Sequence, residues 1–255
     1  GFRVGAARFS AGGKGRKPAS GDVEDGTIGN HVESLGCYGS STIRFYRGLH
    51  AHVRGTATPP DPRWSSGIAR YACWDYLNPN SGQAQYTFLY GNPYAVPFVG
   101  DWDGDGKDNV GVRMGNVFYM RTSPVTTATE TTQSVAYGDA PMIPLAGDWD
   151  GDGKDTVSAY DPASARFFIS NNPASGQAQY SFLYGNPHSV PFIGDWDGDG
   201  KDNVGVRMSN VFYSRTSPVT TATETTHLVA YGDAGDLPVI GDWDGNGRDS
   251  QGIVR

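Results

Sequence analysis

The sequence predicts an all-β fold built from repeated four-stranded units, and three observations lead to this prediction. The 255 residues include 36 Gly and 16 Pro, and 12% of them are aromatic, a composition that favours short strands joined by tight turns. No segment sustains the 3.6-residue apolar period of an amphipathic helix. A motif, Asp-Trp-Asp-Gly-Asp/Asn-Gly, recurs every 47 residues, and it begins at Asp101, Asp148, Asp195 and Asp242. A period in the forties with four short strands per unit is typical of a β-propeller blade.

The strands of one unit can be read from the alternation of apolar and polar residues. In the unit that follows the first motif, strands are predicted at 109–114, 117–121, 132–137 and 142–147. Gly115-Asn116 is a hairpin-type turn between the first two strands, and Ser123-Pro124 interrupts the chain after the second. We expect the four strands to form one blade.

A second, longer period indicates that the units were duplicated in pairs. Residues 81–140 and 175–234 lie 94 positions apart and differ at only eight of sixty positions. Alternate units are therefore almost identical, whereas neighbouring units are only loosely alike.

The length of the repeat region suggests the number of blades. Residues 68–255 number 188, which is four times 47. Residues 69–100 resemble the last three strands of a blade, and residues 252–255 resemble its first. We therefore predict four blades, with the C-terminal strand closing the first blade of the ring. A five-bladed ring with a degenerate blade from residues 1–66 is the alternative.

The charge is distributed unevenly along the chain. Residues 1–66 carry nine Lys/Arg against five Asp/Glu, whereas residues 67–255 carry eleven against twenty-two, a net charge of −11. Such an acidic region repels nucleic acid and anionic lipid, so neither is an expected partner. No run approaches the roughly 18 apolar residues that cross a bilayer, so membrane insertion is not expected. Most of the acids are clustered in the four motifs, which indicates a bound cation.

The aspartate motifs have the donor pattern of a calcium loop. Three oxygen-bearing side chains alternate with residues that let the chain turn, and Ca²⁺ takes six to eight oxygen ligands in flexible geometry. An EF-hand begins in the same way, but it requires a bidentate Glu at position twelve and flanking helices. Position twelve of the first motif is Val112, inside a predicted strand, so the EF-hand interpretation fails.

The string Gly-Asp-Trp-Asp-Gly-Asp-Gly-Lys-Asp between two strands resembles the FG-GAP or VCBS-type calcium repeat of integrin alpha-subunit propellers and secreted bacterial proteins. The resemblance covers about residues 69–255. It implies propeller blades, with up to four Ca²⁺ ions in the loops that join two strands. The side-chain ligands that it implies are Asp101, Asp103 and Asp105; Asp148, Asp150 and Asp152; Asp195, Asp197 and Asp199; and Asp242, Asp244 and Asn246.

The later positions of each loop leave an alternative open. A backbone carbonyl at position seven is a further candidate ligand, in Lys107, Lys154, Lys201 and Arg248. The family often places its last acid at position nine, where this chain has Asn109, Thr156, Asn203 and Ser250. The nearest acids stand one residue earlier, at Asp108, Asp155, Asp202 and Asp249. Either position eight or position nine closes each site, and Asn246 is expected to make the fourth site the weakest.

The aromatic residues of the motifs are expected in the core. Each motif Trp follows an apolar strand and lies between two ligand positions, so we expect it to pack between blades rather than to stack on a sugar. Better candidates for ligand contact are the loops 92–95 and 186–189, because Tyr94 and His188 differ there between two otherwise near-identical copies.

Residues 1–66 lack the repeat and are interpreted as an N-terminal arm or partial blade that precedes the propeller at 67–255. The chain has two cysteines, Cys37 and Cys73. In a secreted protein they would form a disulfide that ties the arm to the opening blade, whereas two buried free thiols are the alternative.

Together these features favour a secreted or cell-surface, calcium-stabilised propeller that binds an extracellular glycan or a surface protein. Near-identical blades would present the same site twice and so add avidity. No common hydrolase motif is present, and Glu130 and Glu224 are single carboxylates. A catalytic role is therefore not favoured. The alternatives are a glycan hydrolase or lyase with a central site, and a non-catalytic accessory domain of a larger secreted enzyme.

Overall fold

The computed structural model describes residues 73–78, 83–92, 95–124, 130–221 and 224–254. These residues form an all-β fold without an α-helix in the described ranges. The strands are β1 (Cys73–Asn78), β2 (Gln83–Leu89), β3 (Val96–Gly100), β4 (Asn109–Met114), β5 (Val117–Arg121), β6 (Thr132–Ala136), β7 (Ile143–Gly147), β8 (Thr156–Asp161), β9 (Arg166–Ile169), β10 (Tyr180–Leu183), β11 (Val190–Gly194), β12 (Asn203–Met208), β13 (Val211–Arg215), β14 (Thr226–Ala230), β15 (Leu237–Gly241) and β16 (Ser250–Val254).

The described strands form three complete sheets and two half-sheets. Sheet one contains β3 to β6, sheet two β7 to β10 and sheet three β11 to β14. Each is an antiparallel meander in which neighbouring strands are consecutive in sequence. The N-terminal half-sheet pairs β1 with β2, and the C-terminal half-sheet pairs β15 with β16.

The predicted strands are present, but their grouping into one unit was wrong. The strand near 142–147, observed as Ile143–Gly147, pairs with β8 and begins sheet two instead of ending sheet one. Sheet one begins with Val96–Gly100, which pairs with Asn109–Met114. The reason is that the aspartate motif forms the hairpin connection between the first and second strands of one sheet. A hairpin brings the strands on either side of it into direct register.

The same shift changes the prediction for the two ends of the repeat region. The C-terminal strand β16 pairs with β15, and Val96–Gly100 belongs to sheet one, so the division into three strands plus one was also wrong. Each end of the region instead contributes two strands. Within the described residues the two half-sheets are separate, and a closed ring is not observed.

Successive sheets pack against one another through their first strands and enclose apolar cores. Strand β7 contacts both β3 and β11, and β11 contacts β15. Between sheets one and two, Trp102 and Phe118 pack with Val157 of the next sheet. Burying a large apolar side chain contributes about 1.5–3 kcal/mol, so these interfaces are a major source of stability. Gly111 is required in this core because a Cβ atom there would lie 2.5 Å from the Phe98 ring.

The N-terminal half-sheet packs on sheet one in the same way as the last two strands of sheet two, β9 and β10, pack on sheet three. The Arg121 guanidinium lies 5.0 Å from the centre of the Phe88 ring, and Arg215 lies 4.3 Å from that of Phe182. These two pairs are exactly 94 residues apart in sequence. The hydrogen bonds at the two interfaces also correspond: Tyr90 to Thr132 at 3.3 Å, and Tyr184 to Thr226 at 3.1 Å.

No helix long and apolar enough to cross a membrane occurs in the part of the chain that the structure describes.

Candidate metal centre

Each aspartate motif forms a tight loop that is organised by its first carboxylate. In loop one (residues 101–108), Asp101 Oδ1 accepts the backbone N–H of Gly104 at 2.7 Å. Asp101 Oδ2 accepts the N–H of Gly106, also at 2.7 Å. Gly104 and Gly106 adopt φ angles of 78° and 80°, which glycine reaches without the strain of a side chain. The alternating glycines therefore let the loop wrap around the carboxylate of Asp101.

The arrangement repeats in loop two (148–155), loop three (195–202) and loop four (242–249). In all four loops the first Asp is buried and accepts the N–H groups at positions four and six. The distances to position four are 2.7 Å in loop two and 2.8 Å in loops three and four. Those to position six are 2.8, 2.9 and 2.9 Å in the same order. The backbone N–H bonds, that of Gly247 first, hold the pKa of Asp242 below its ordinary value.

Three of the loops bring three carboxylates close enough to share one metal ion. In each triplet one oxygen per residue lies within 4.8 Å of the others, and one Asp is buried while two are exposed. The triplets are Asp101, Asp103 and Asp105; Asp148, Asp150 and Asp152; and Asp195, Asp197 and Asp199. Ligand oxygens around Ca²⁺ lie 2.3–2.6 Å from the ion, so about 5 Å is the largest separation that two of them can have. The triplets satisfy this limit, and their all-oxygen donor set is compatible with Ca²⁺.

Loop four has the same backbone arrangement with one carboxylate fewer. Asn246 replaces the third Asp, its N–H donates to Asp242 Oδ1 at 3.0 Å, and its side-chain amide donates to Asp244 Oδ2 at 3.2 Å. The amide nitrogen thus donates to a carboxylate oxygen of a proposed ligand residue. That site four is the weakest remains a prediction.

The position-eight acids of loops two, three and four lie at the interface with the preceding sheet. Asp155 Oδ2 accepts the backbone N–H of Asp101 at 2.9 Å, and the N–H of Asp155 donates to the Asp101 carbonyl oxygen at 2.7 Å. The Asp202 carboxylate likewise accepts the backbone N–H of Asp148 at 2.7 Å, and the Asp249 carboxylate accepts that of Asp195 at 3.0 Å. The N–H of Asp202 donates to the Asp148 carbonyl oxygen at 2.6 Å, and the N–H of Asp249 donates to that of Asp195 at 2.7 Å. Sequence reasoning placed these acids in their own loops and missed this connection. The only available signal was that position eight is always Asp.

The residues at position nine differ between neighbouring loops. Asn203 is opposite Gly194 in the β11–β12 register, at the base of loop three, and its Oδ1 is buried without a hydrogen-bond partner. The Thr156 hydroxyl of loop two instead donates to the carbonyl oxygen of Ser170 at 2.9 Å. The position-eight carboxylates of loops two, three and four thus accept hydrogen bonds from the preceding loop. Asn203, in contrast, has a buried acceptor oxygen for which the protein supplies no donor.

The basic residues at position seven approach acidic loops in two ways. The Lys107 ammonium lies 2.9 Å from Asp105 Oδ2, and this hydrogen bond raises the pKa of Lys107. In the later loops the basic side chain lies next to the preceding loop. A Cβ atom on Gly104 would meet Lys154, one on Gly151 would meet Lys201 and one on Gly198 would meet Arg248. Loops one to four therefore lie side by side, with the side chain of a basic residue against each of the first three.

The motif tryptophans occupy the interfaces between sheets, as expected, with one exception. Trp102 and Trp149 are buried, and Trp196 is partly buried against the cluster that contains Phe192 and, from the C-terminal half-sheet, Ile240. Trp243 is 49% exposed, because no described strand packs over this face of the C-terminal half-sheet.

The other predicted site residues are only partly described. His188 is exposed in the β10–β11 loop with a φ of 66°, and its backbone N–H donates to the Pro162 carbonyl oxygen at 2.7 Å. Tyr94 and Cys37 lie outside the described residues, and so does the side chain of Cys73. The ligand contact at Tyr94 and the Cys37–Cys73 disulfide remain predictions.

A scan against protein-family models found no match to this chain, and a search of curated proteins also returned none.

Proposed function

We propose that this protein is a calcium-stabilised β-propeller of the FG-GAP or VCBS type that acts as a secreted or cell-surface binding module. The observation that carries the calcium proposal is the close approach of three carboxylates at the same point of three successive sheets. With four Ca²⁺ bound, the net charge of residues 67–255 would fall from −11 to −3. The metal would thus relieve the repulsion that the clustered acids create.

Two relationships support the propeller. Successive meander sheets contact one another through their first strands, which is the arrangement around a propeller axis. The half-sheets are also complementary. An aspartate motif joins β15 to β16, as it joins the first two strands of each complete sheet. Strands β1 and β2 pack on sheet one as the last two strands of sheet two pack on sheet three. We propose that the two half-sheets combine into one blade and close a four-bladed ring. A ring with a further blade from residues 1–66 is the alternative.

A binding role is supported by duplication of the surface. Sheets one and three derive from segments that differ at eight of sixty positions, and the differences include the exposed loop of His188. Two equivalent surfaces on a rigid scaffold would bind a repetitive glycan or surface protein with avidity. No specific observation on the described residues favours the hydrolase or lyase alternative.

The calcium proposal is tested with protein stripped by chelator. Isothermal titration with Ca²⁺ should give three sites and a weaker fourth, and the melting temperature should rise with Ca²⁺ concentration because the ion binds the folded state. Mg²⁺ at the same concentration is the control, since it requires a smaller octahedral site. The absence of heat, together with the same melting curve in calcium and in chelator, would refute the proposal.

The binding role is tested separately on a glycan array, in calcium and in chelator. We expect calcium-dependent binding to a defined sugar and its loss when His188 and Tyr94 are replaced together by Ala. A blank array with folded, calcium-loaded protein would argue against a glycan ligand and favour a surface protein or an accessory role.

A further inference from the structure

We propose that the calcium sites of loops one, two and three are completed across the inter-sheet interfaces, with the position-eight Asp of the next loop acting as a positioning residue for the metal site of the preceding loop. This inference rests on the calcium sites proposed above. Its basis is the pair of reciprocal hydrogen bonds between Asp155 and Asp101, which recurs between Asp202 and Asp148 and between Asp249 and Asp195.

Asp101 connects loop one to the interface between sheets one and two. Its carboxylate accepts the N–H groups of Gly104 and Gly106 and belongs to the first triplet. Its backbone N–H and carbonyl are both bonded to Asp155 of the next sheet. The position of the ligand carboxylate is therefore fixed from inside the loop by glycine N–H groups and from outside by Asp155.

The Asp155 carboxylate is directed toward the loop that precedes its own. Its Oδ2 lies 2.9 Å from the nitrogen of Asp101, and a Cβ atom on Gly100 would lie 3.0 Å from the same oxygen. The carboxylate thus faces the end of β3 and the start of loop one. Groups that hold a metal ligand without touching the metal typically change its affinity by about 10- to 100-fold when they are replaced.

Thermodynamic linkage would couple calcium binding to the contact between sheets. If the contact between sheets improves the affinity for Ca²⁺, bound Ca²⁺ must stabilise the contact by the same factor. Calcium in loop one would then strengthen the interface of sheets one and two, and calcium in loop two the next interface. The metal sites of loops one to three would therefore be coupled to the interfaces along the repeat and would not stabilise the fold independently.

The test uses two variants that each retain one site. One keeps loop one and replaces the exposed acids of the other loops: Asp150→Ser, Asp152→Ser, Asp197→Ser, Asp199→Ser and Asp244→Ser. The other keeps loop two and carries Asp103→Ser, Asp105→Ser, Asp197→Ser, Asp199→Ser and Asp244→Ser. Asp155→Asn and Asp202→Asn are then introduced into each, and Ca²⁺ affinity is measured by isothermal titration.

We expect a crossed result. Asp155→Asn should weaken Ca²⁺ binding about tenfold where only loop one remains and less than threefold where only loop two remains. Asp202→Asn should weaken Ca²⁺ binding at loop two about tenfold and change the affinity of loop one by less than threefold. Each substitution is thus the control for the other, and an effect of general destabilisation would appear equally in both variants.

Two outcomes would overturn the inference. Loss of affinity at loop two alone on Asp155→Asn would mean that position eight is a direct ligand of its own loop. Equal effects at both loops would mean that the interface does not position the ligand. If neither one-site variant binds Ca²⁺ before Asp155 or Asp202 is changed, while the intact protein also shows no binding, the calcium proposal itself fails.

Discussion

The Oδ2 atom of Asp148 lies 2.8 Å from the backbone nitrogen of Gly153, so a buried carboxylate holds the far side of its own loop through the protein's own hydrogen bonds. Asp148 Oδ1 also accepts the N–H groups of Gly151 and Asp152. The first aspartate therefore has a structural role that can be separated from metal binding.

Replacing Asp148 by Ala should destabilise the protein in chelator by about 2–3 kcal/mol, because three backbone N–H groups lose a charged acceptor. Asp150→Ala is the matched control, since Asp150 is exposed and accepts one bond of 3.3 Å. It should cost less than about 0.5 kcal/mol in chelator but remove the calcium response of loop two. Urea unfolding with and without Ca²⁺ measures both effects. Equal costs in chelator would contradict this division of roles.

The buried Arg207 should be intolerant of lysine. Its guanidinium donates to the carbonyl oxygens of Asp233, at 2.6 Å, and Asp236, and it lies 5.1 Å from the centre of the Phe212 ring. A lysine cannot reproduce this planar fork, so Arg207→Lys should reduce the free energy of unfolding by about 2 kcal/mol. Arg166→Lys is the control, because Arg166 bonds an exposed Ser181 hydroxyl. A similar, small cost for both would show that the fork contributes little.

The interfaces should open at alkaline pH. Burial raises the pKa of Tyr90, Tyr137 and Tyr184 from 10.0 to about 12. A raised folded-state pKa contributes stability that is complete below pH 10 and is lost as the pH rises toward 12. Absorbance at 295 nm should show a late group of tyrosines that ionise together with the loss of near-ultraviolet circular dichroism. Complete ionisation near pH 10 with the fold intact would contradict the burial.

Two phenylalanine variants should separate burial from hydrogen bonding in these tyrosines. The Tyr137 hydroxyl is buried without a hydrogen-bond partner, so Tyr137→Phe should be neutral or stabilising at pH 7. The Tyr184 hydroxyl bonds Thr226 at 3.1 Å, so Tyr184→Phe should cost about 0.5–1.5 kcal/mol. Thermal unfolding of the two variants provides the comparison, and a larger loss for Tyr137→Phe would reverse it.

Ring closure can be tested with a single introduced cysteine. In sheet two, Tyr160 is opposite Phe167, and the positions 94 residues away from them are Val254 and Cys73. If β16 and β1 pair in this register, Val254→Cys in a Cys37→Ser background should form a disulfide with Cys73 within one chain. Mass spectrometry and a non-reducing gel detect it. Two free thiols would contradict closure, and a disulfide-linked dimer would indicate that two chains exchange their half-sheets.

Much of the fold follows from the sequence because strand and turn chemistry is local. The strands around Gly115-Asn116 were predicted at 109–114 and 117–121 and are observed there, since turn residues and apolar alternation determine a hairpin over short distances. The membership of Ile143–Gly147 was not predicted, because pairing across an eight-residue loop depends on which sheet can bury the strand. The carboxylate triplets, in contrast, could be predicted, because their members lie only two positions apart in one loop.

The sequence by itself determined the all-β class, the 47-residue spacing and the oxygen donors of each loop, all of which depend on residues close together in the chain. Only the tertiary structure decided that Asp155 serves the loop before its own, 54 residues away from Asp101. The physical reason is that a carboxylate within a repeat has no preference between its own loop and its neighbour. The packing of sheet two on sheet one brings it to the Asp101 N–H group, which would otherwise be buried without an acceptor.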